Sequence, residues 1–453
     1  MTGHAVVLGA GIGGLITAAV LAERFSTVSI VERDRLPDTP IDRRGVTQGR
    51  HLHSLLSRGS QIIEELLPGF LADLGAAGAL VLDDVDMSRI YSRIGPYTFN
   101  RNDPAADPAA LTTYLVSRPF LEFHLRRRVA TLSNVLFLEG RDVGDLLAAQ
   151  PERVTGVTVH ARDAAGSEAL NADLIIDATG RATRTPFLLE RLGYTRPSEQ
   201  TFTVDGVYYS QQIAIPDQDD FRERMILVLP EGKAQRGGLV ACENNRWTLT
   251  IASRADDLGY APTDFGEMLT LAEDFVPAHI QQPLRRAQPL TEVSTYRYPG
   301  GVWRRYDRMT RYPKGLLVIG DALCCLDPIN GQGMAMATLH AHTLRTQLRR
   351  ANPVDPQAFY TSIAAVIKPV WAANAEQPSG RTPGRAATSL RQRAVRWSRR
   401  KILEAAVDDI VITERLMRVA NLIDPPQRLL EPKVLAHVVA HHARQSLSRR
   451  RTK

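Results

Sequence analysis

The sequence predicts an α/β protein in which a Rossmann-like dinucleotide-binding domain is interrupted by an antiparallel sheet and followed by a helical C-terminal region. Three observations predict it. Residues 5–34 read as strand, glycine turn, helix, strand and acid. Between Phe202 and Ile251, β-branched and aromatic runs alternate with turn-forming residues. From Gly315 to Met334, a second strand runs into a Gly-Asp pair and another glycine-rich helix start.

In the first stretch, Ala5–Leu8 are apolar enough for a buried strand. Gly9, Gly11 and Gly14 hold the G-x-G-x-x-G spacing, with Gly13 as an extra. The first glycine permits a tight turn, the second lets backbone approach a pyrophosphate, and the third packs helix against strand. Leu15, Ala18, Ala19, Leu21 and Ala22 continue as a helix whose N-terminus offers free N–H groups to phosphate. Val28–Val31 is the second strand. Glu32, 18 residues after Gly14, can accept hydrogen bonds from a ribose diol and would repel a 2′-phosphate. Ala5–Ala22 is also 18 uncharged residues, the length of a short membrane span. Its four glycines and the lack of a basic flank or cleavage site make it soluble core instead.

The loop 43–53 is dense in donors and leads into a helix over 55–67; its Arg44, Gln48, His51 and His53 could border the nucleotide. No carboxylate or cysteine cluster joins the two histidines, so no metal site is expected. Alternation over Leu80–Phe99 (Val81, Val85, Ile90, Tyr91, Tyr97, Phe99) predicts strands of the second domain. Ser117-Arg118-Pro119 opens a helix to about Leu132, with proline in its first turn and Arg118 in reach of a ribose or phosphate. Val135–Leu138, Val154–His160 and Ala169–Ile176 read as strands, with a hairpin turn around Asp163–Gly166. The last leads into Asp177-Ala-Thr-Gly180, small residues fit to cover a cofactor.

Phe202–Ile215, Met225–Leu229, Gly238–Ala241 and Arg246–Ile251 form the antiparallel sheet, the wall of a substrate chamber that Tyr208, Tyr209 and Trp247 could line. Gly315–Ile319 is a strand with Asp321 at its C-terminal end. A helix opens at Gly331–Met334 and runs to about Leu348, its free N–H groups facing an anion. Helices follow, broken around Pro378–Gly384.

At 453 residues the chain should divide into two or three domains, and its composition (44% apolar, 23% charged) is that of a globular protein. Cys242, Cys324 and Cys325 have no metal spacing and suit a reducing cytoplasm, the expected location. Residues 381–401 hold eight basic residues and no acid, one charge more than the whole chain's +7, so the remainder is nearly neutral. Leu390, Ala394, Trp397, Ile402 and Ala406 keep roughly helical spacing beneath these charges. That pattern reads as a solvated helix face rather than a nucleic-acid or acidic-membrane patch, and no nucleic-acid partner is expected.

The three motifs (Gly9–Gly14 with Glu32, Asp177–Thr183, and Gly320–Met334) occur in the order found in group A flavoprotein monooxygenases of the p-hydroxybenzoate hydroxylase fold, which the chain resembles. There the last motif is G-D-A followed by P-x-x-G-Q-G, and Asp321 and Pro328 keep its interval. The loop 44–53 is similar to that of the flavin epoxidases of polyether polyketide antibiotic biosynthesis. The resemblance implies an FAD-binding domain built from residues 1–80, 113–190 and 291–350, a substrate domain from 81–112 and 191–290, and a helical region 351–453. It implies FAD held by Gly9, Gly11, Gly13, Gly14, Glu32, Arg33, Arg44, Arg118 and Asp321, the last on a ribityl hydroxyl. The flavin ring would lie near Gln48, Pro328, Gly331, Gln332, Gly333 and Met334. Two departures bear on reduction: the usual aspartate–glycine pair of the middle motif is Thr179-Gly180, and the histidine common after G-D-A-A is Cys324.

The chemistry implied is oxygen insertion from O2 into an electron-rich lipophilic small molecule through a C4a-hydroperoxyflavin, with NAD(P)H as transient reductant. Epoxidation of a polyketide-type alkene is the leading expectation. Backbone N–H groups at Gly331–Gly333 are the expected electrostatic contributors, with His51 as a conceivable proton donor. An aromatic hydroxylase would use the same machinery. The altered middle motif also leaves open a non-redox cyclase that keeps FAD as structure. A halogenase would show W-x-W-x-I-P, whereas Trp247, Trp303, Trp371 and Trp397 are each isolated.

Overall fold

The computed structural model describes residues 2–375, apart from 85, 149, 151, 164–165, 217–220, 232–234, 274 and 352, and residues 390–451. Its centre is a five-stranded parallel sheet in the order Leu316–Val318, Leu174–Asp177, His4–Leu8, Thr27–Val31, Val135–Leu138. Ala5, Val6 and Val7 in the middle strand have no solvent exposure, as a parallel strand covered on both faces requires. Leu8 pairs with Val31 on one side and Asp177 on the other, so Gly9, Glu32 and Ala178 share the C-terminal edge of the sheet. Ligands of open parallel sheets bind at that edge.

The helix Ile12–Ala22 is buried at every position except Gly13. Helix Gly333–Arg350 packs on it, and a Cβ at Gly13 would lie 3.3 Å from the Ala337 methyl. The helix Arg118–Ala130 flanks it as well, with proline in its first turn as expected and Ser117 as its cap.

The region 135–177 differs from expectation. Arg141–Leu147, whose charges and glycine hide its strand pattern, pairs with Gly156–Ala161, which pairs on its other side with Ser167–Asn171 in a three-stranded antiparallel sheet. The predicted strand 169–176 is therefore two strands: Ser167–Asn171 belongs to this small sheet and Leu174–Asp177 to the parallel one. The hairpin between the last two antiparallel strands forms, although 164–165 at its tip lie outside the described residues.

The large sheet contains the four predicted strands, extended to Glu199–Ala214, Met225–Leu229, Arg236–Cys242 and Arg246–Arg254. Ser294–Arg304, inside the segment assigned to the third part of the nucleotide domain, pairs along Glu199–Ser210 and belongs to this sheet. Its Pro-Gly-Gly core (299–301) looks like a turn in sequence. The partner strand shifts register between Thr203 and Gly206, and Gly300 takes φ +151, where a Cβ would sit 2.0 Å from the Phe202 carbonyl oxygen. Of the predicted 80–99 strands, Ile90–Ile94 and Tyr97–Thr98 join the large sheet. Leu80–Leu82 instead pairs with Thr113–Leu115, and residue 85 lies outside the described residues.

Helices Phe265–Glu273 and Ala278–Arg285, which the sequence reading missed, cover one face of the large sheet. The C-terminal region is helical as expected: Pro356–Ala375, Leu390–Ala405, Ile410–Ala420 and Pro432–Arg451. The expected break at 378–384 lies outside the described residues. Among the described residues, no helix is long and apolar enough to cross a membrane.

Candidate functional site

The glycine turn after the first strand has no room for side chains at Gly9 and Gly14. Gly9 takes φ +99, where a Cβ would meet the Ala178 carbonyl oxygen at 2.8 Å. A Cβ on Gly14 would fall 1.9 Å from the Gly9 carbonyl oxygen, so helix and strand approach only because this residue is glycine. Gly11 caps the helix without a side-chain bond, leaving the first-turn N–H groups open. Gly13 faces helix 333–350 and serves helix packing.

Glu32 is buried at the end of its strand. Its Oε2 accepts from Ala10 N at 2.8 Å and its Oε1 from Asp34 N at 3.0 Å, which fixes the carboxylate over the turn. Arg43 lies 3.3 Å from Glu32, 3.1 Å from Asp34 and 2.6 Å from Glu122, all with side chains about nine-tenths buried. Arg43, rather than the exposed Arg44, is thus the arginine built into this corner; the exposed Arg33 turns outward, 3.9 Å from Asp34. Burial pushes the Glu122 carboxyl up, but Arg118 and Arg43 outweigh it and hold it below the ordinary carboxylate range.

Arg118 donates to Glu122 through Nε and Nη2 at 3.1 and 2.8 Å, and Nη2 lies 3.8 Å from where a Gly11 Cβ would stand. Its helix is anchored by Ser117, whose N and Oγ donate to buried Glu243 at 2.8 and 2.6 Å. A buried guanidinium is therefore held beside the open N–H groups of the first helix.

Asp321 sits past the strand Leu316–Val318, with its Oδ1 3.9 Å from where a Gly333 Cβ would stand. No described residue donates to its carboxylate. Recession in the cleft raises its pKa, against the pull of Arg118, Arg181 and Arg304. The backbone around it is fixed from behind. Gly320 N donates to His340 Nδ1 at 3.0 Å, and Arg304 Nη1 donates to the Ala322 carbonyl oxygen at 3.0 Å. His340 is wholly buried, and burial pulls its pKa to about 3, so it stays neutral and able to accept.

The turn Pro328–Asn330 ends at Gly331 in the left-handed region (φ +63), and helix Gly333–Arg350 starts at Gln332 without a side-chain cap. Asp327 accepts from Ile329 N at 3.0 Å and from the Tyr208 hydroxyl at 2.7 Å. Asn374, from the helix Pro356–Ala375, braces the same loop. Its Oδ1 accepts from Asp327 N at 3.3 Å and Asn330 Nδ2 at 2.8 Å, and its Nδ2 donates to Gln332 Oε1 at 3.1 Å. Pro328 and Gly333 face solvent, while Met334 is buried beneath them. Sequence reading missed Arg43, His340 and Asn374, which act through partners remote in the chain.

Across from this loop, Thr47–Arg50 forms a 3-10 turn carrying half-buried Gln48 and lying against strand Ser294–Arg304. His51 Nδ1 lies 2.8 Å from Ser210 Oγ, which is 2.6 Å from Thr250 Oγ1. Burial, helped by Arg50, lowers the His51 pKa to about 4. Any proton it gives at neutral pH comes from a neutral imidazole. His53 is held by the His51 carbonyl oxygen at 2.9 Å, and burial brings its pKa to about 3.

The three aromatics expected on the chamber wall do not form it. Strand alternation sends Tyr208 and Tyr209 to opposite faces. Tyr209 and Trp247 belong to the core under helices 265–285, and Trp247 is 0% exposed. Tyr208, also buried, is a strut to Asp327. The half-exposed Tyr296 lies beside His51, at 5.6 Å between ring centroids. The middle motif is internally satisfied: Asp177 accepts from Thr179 N at 2.9 Å, Thr179 Oγ1 at 2.6 Å, Thr185 Oγ1 at 2.6 Å and Thr183 Oγ1.

No family model matches the chain. It is 34% identical to protein Rv3254 of Mycobacterium tuberculosis, covering 99% of this chain and 95% of that protein. Among solved structures, the flavin-dependent brominase Bmp2 superposes with a TM-score of 0.66 at 14% identity, covering 99% of this chain and 100% of that one. PqsL, a probable FAD-dependent monooxygenase from Pseudomonas aeruginosa, superposes with a TM-score of 0.64 at 15% identity, covering 93% and 100%. The chain has the fold of these flavin-dependent enzymes: a Rossmann-like domain of the FAD-binding type, a mainly antiparallel sheet in which Ile90–Ile94 and Met225–Leu229 pair in parallel, and a helical C-terminal region.

Proposed function

The chain belongs to the family of the Mycobacterium tuberculosis protein Rv3254, and from the cleft we propose that it is an FAD-dependent monooxygenase. One observation carries this reading. Two helices that start without side-chain caps, at Gly11 and Gln332, pack on one another, and next to the second start stands the Asp321 carboxylate, which has no donor among the described residues. Such a pair offers phosphate-binding N–H groups at one end and a hydroxyl-accepting carboxylate at the other. An extended dinucleotide fits: Glu32 for the adenosine ribose, Gly11–Gly14 and Arg118 for the pyrophosphate, Asp321 for the ribityl chain, Gly331–Gly333 and Gln48 for the ring.

Bound FAD supplies hydride acceptance from NAD(P)H and activation of O2. The chain's own part is to hold, orient and exclude water. The Gly331 N–H is spent on the Pro328 carbonyl oxygen at 2.9 Å, so the N–H groups of Gln332 and Gly333 are the ones that would stabilise negative charge developing on a bound flavin. His51 and Tyr296 form the wall against which an electron-rich lipophilic substrate is oriented, an alkene of a polyketide-type natural product on the residues of loop 44–53. The Asp177 carboxylate, filled by Thr179, Thr183 and Thr185, favours as second reading a cyclase that keeps FAD without redox turnover.

The test is to purify the protein, reduce its flavin anaerobically, and mix with oxygen in a stopped flow. A spectrum between reduced and oxidised flavin that persists for seconds supports oxygen transfer. Direct reoxidation, with product formed in the absence of NAD(P)H and O2, favours the cyclase. No bound flavin and no uptake of added FAD would sink both.

A further inference from the structure

The segment holding the chain's excess charge has no place in the reading above. Its described part begins the helix Leu390–Ala405, and the structure separates residues that the sequence groups beneath the charges. Ile402 and Ala406 are buried with Phe99, Ile412 and Val438. Residues 393–397 are all exposed, and Trp397 is 63% exposed. At about 100° per residue, Trp397 stands about 180° from Ala406, on the outward face. Arg393, Arg400 and Lys401 lie four before, three after and four after it, so they ring the indole. Arg400 and Lys401 pair with Glu404 at 2.8 and 2.7 Å. Arg393, Arg396 and Arg399 have no ion pair or hydrogen bond among the described residues.

A solvated helix face needs no exposed indole at its centre. An indole has an apolar body with one polar N–H, and arginine stems cover apolar surface while their heads stay with water or phosphate. That combination matches the headgroup level of a bilayer bearing negative charge. A single-stranded nucleic acid would need a groove to track its backbone, and this helix face is convex. We propose that the outward face of helix 390–405 docks on an anionic membrane surface, with Trp397 at headgroup depth and Arg393 and Arg396 against lipid phosphates. The proposal stands apart from the flavin reading.

Trp247, Trp303 and Trp371 are 0%, 3% and 3% exposed, so acrylamide quenching reports on Trp397 almost alone. The full-length protein is titrated with vesicles of equal parts phosphatidylglycerol and phosphatidylcholine, and with pure phosphatidylcholine. With the anionic vesicles, emission shifts to the blue and quenching is lost; with the neutral ones neither changes. Arg393→Ala and Arg396→Ala together weaken partition about twenty-five-fold, at about fivefold each. Trp397→Ser weakens it about tenfold and removes the shift. All three side chains are exposed, so circular dichroism should be unchanged. Equal binding to neutral vesicles, or variants that bind like the parent, would overturn the proposal. So would protection of Trp397 in the protein alone, which means a second copy covers it, or displacement from vesicles by an oligonucleotide that binds more tightly.

Discussion

Glu32 and Asp321 are both carboxylates at strand ends, but the structure treats them differently. Glu32 is bonded to Ala10 N and Asp34 N and lies beside Arg43, whereas Asp321 has no donor among the described residues. Glu32→Ala leaves the N–H groups of Ala10 and Asp34 without their acceptor while Arg43 keeps Asp34 and Glu122, so it should cost about 1–3 kcal/mol of stability as well as FAD affinity. Asp321→Ala should leave the melting temperature nearly unchanged and weaken FAD binding about tenfold, the worth of a hydrogen bond to a charged group. Thermal melts of the apoprotein and fluorescence titration with FAD separate the two, and equal melting losses would contradict the assignment. His340, His53 and His51 give a pH dependence at the same scale. Their folded pKa values, about 3, 3 and 4, lie below the unfolded value of about 6.5. The unfolded chain therefore binds protons first as pH falls. Stability is full above about pH 6.5 and declines towards pH 4, by up to about 1.4 kcal/mol per pH unit for each histidine. Melting temperatures from pH 7.5 to 5.5 should fall, and less steeply in His340→Asn.

At the scale of elements, the two helix starts explain which glycines are indispensable. Gly14→Ala would drive a Cβ into the Gly9 carbonyl oxygen at 1.9 Å and should abolish folding or FAD uptake. Gly13→Ala meets only the Ala337 methyl at 3.3 Å and gains helix propensity, so its melt should stay within about 1 kcal/mol of the parent. Asn374 spans Asp327, Asn330 and Gln332, and Asn374→Ala should cost about 1–3 kcal/mol and change the visible circular dichroism of bound flavin. An unchanged flavin signal would mean that the loop holds its shape by its own turn. These cases also show what the sequence could tell. The strands His4–Leu8 and Thr27–Val31, the helix after Gly11 and the helix after Gln332 were legible because their signals are local: apolar runs, obligatory glycines and acids at fixed spacing. Ser294–Arg304 was hidden because its Pro-Gly-Gly imitates a turn and is rescued by a register shift in another strand. Arg43, His340 and Asn374 were hidden because each takes its meaning from partners that only the tertiary fold brings near. Tyr209 and Trp247 were misplaced because composition marks a strand as aromatic without saying which face is covered.

Across the whole molecule, the C-terminal helices reach the site through the helix Ser57–Leu66. That helix has no side-chain cap of its own. Its cap comes from Asn421, whose Oδ1 accepts from Ser57 N and Ser57 Oγ at 3.1 Å each and whose carbonyl oxygen accepts from Arg58 N at 3.3 Å. Helix 57–66 in turn packs on helix 333–350, where a Cβ at Gly59 would lie 3.3 Å from Ala335, two residues after the Gly333 start. Arg418 adds a contact to Asp107 at 2.9 Å, so the C-terminal region is fastened to both earlier segments it covers. Asn421→Ala should cost about 1–2 kcal/mol, as loss of a cap does. Hydrogen exchange should rise at 57–60 and across 410–440 while the parallel sheet keeps its protection, and FAD should dissociate faster because the start of helix 333–350 loses its backing. Exchange raised only beside residue 421, with FAD dissociation unchanged, would show that the C-terminal helices are an appendage and that the parallel sheet and its two glycine-opened helices hold the cleft alone.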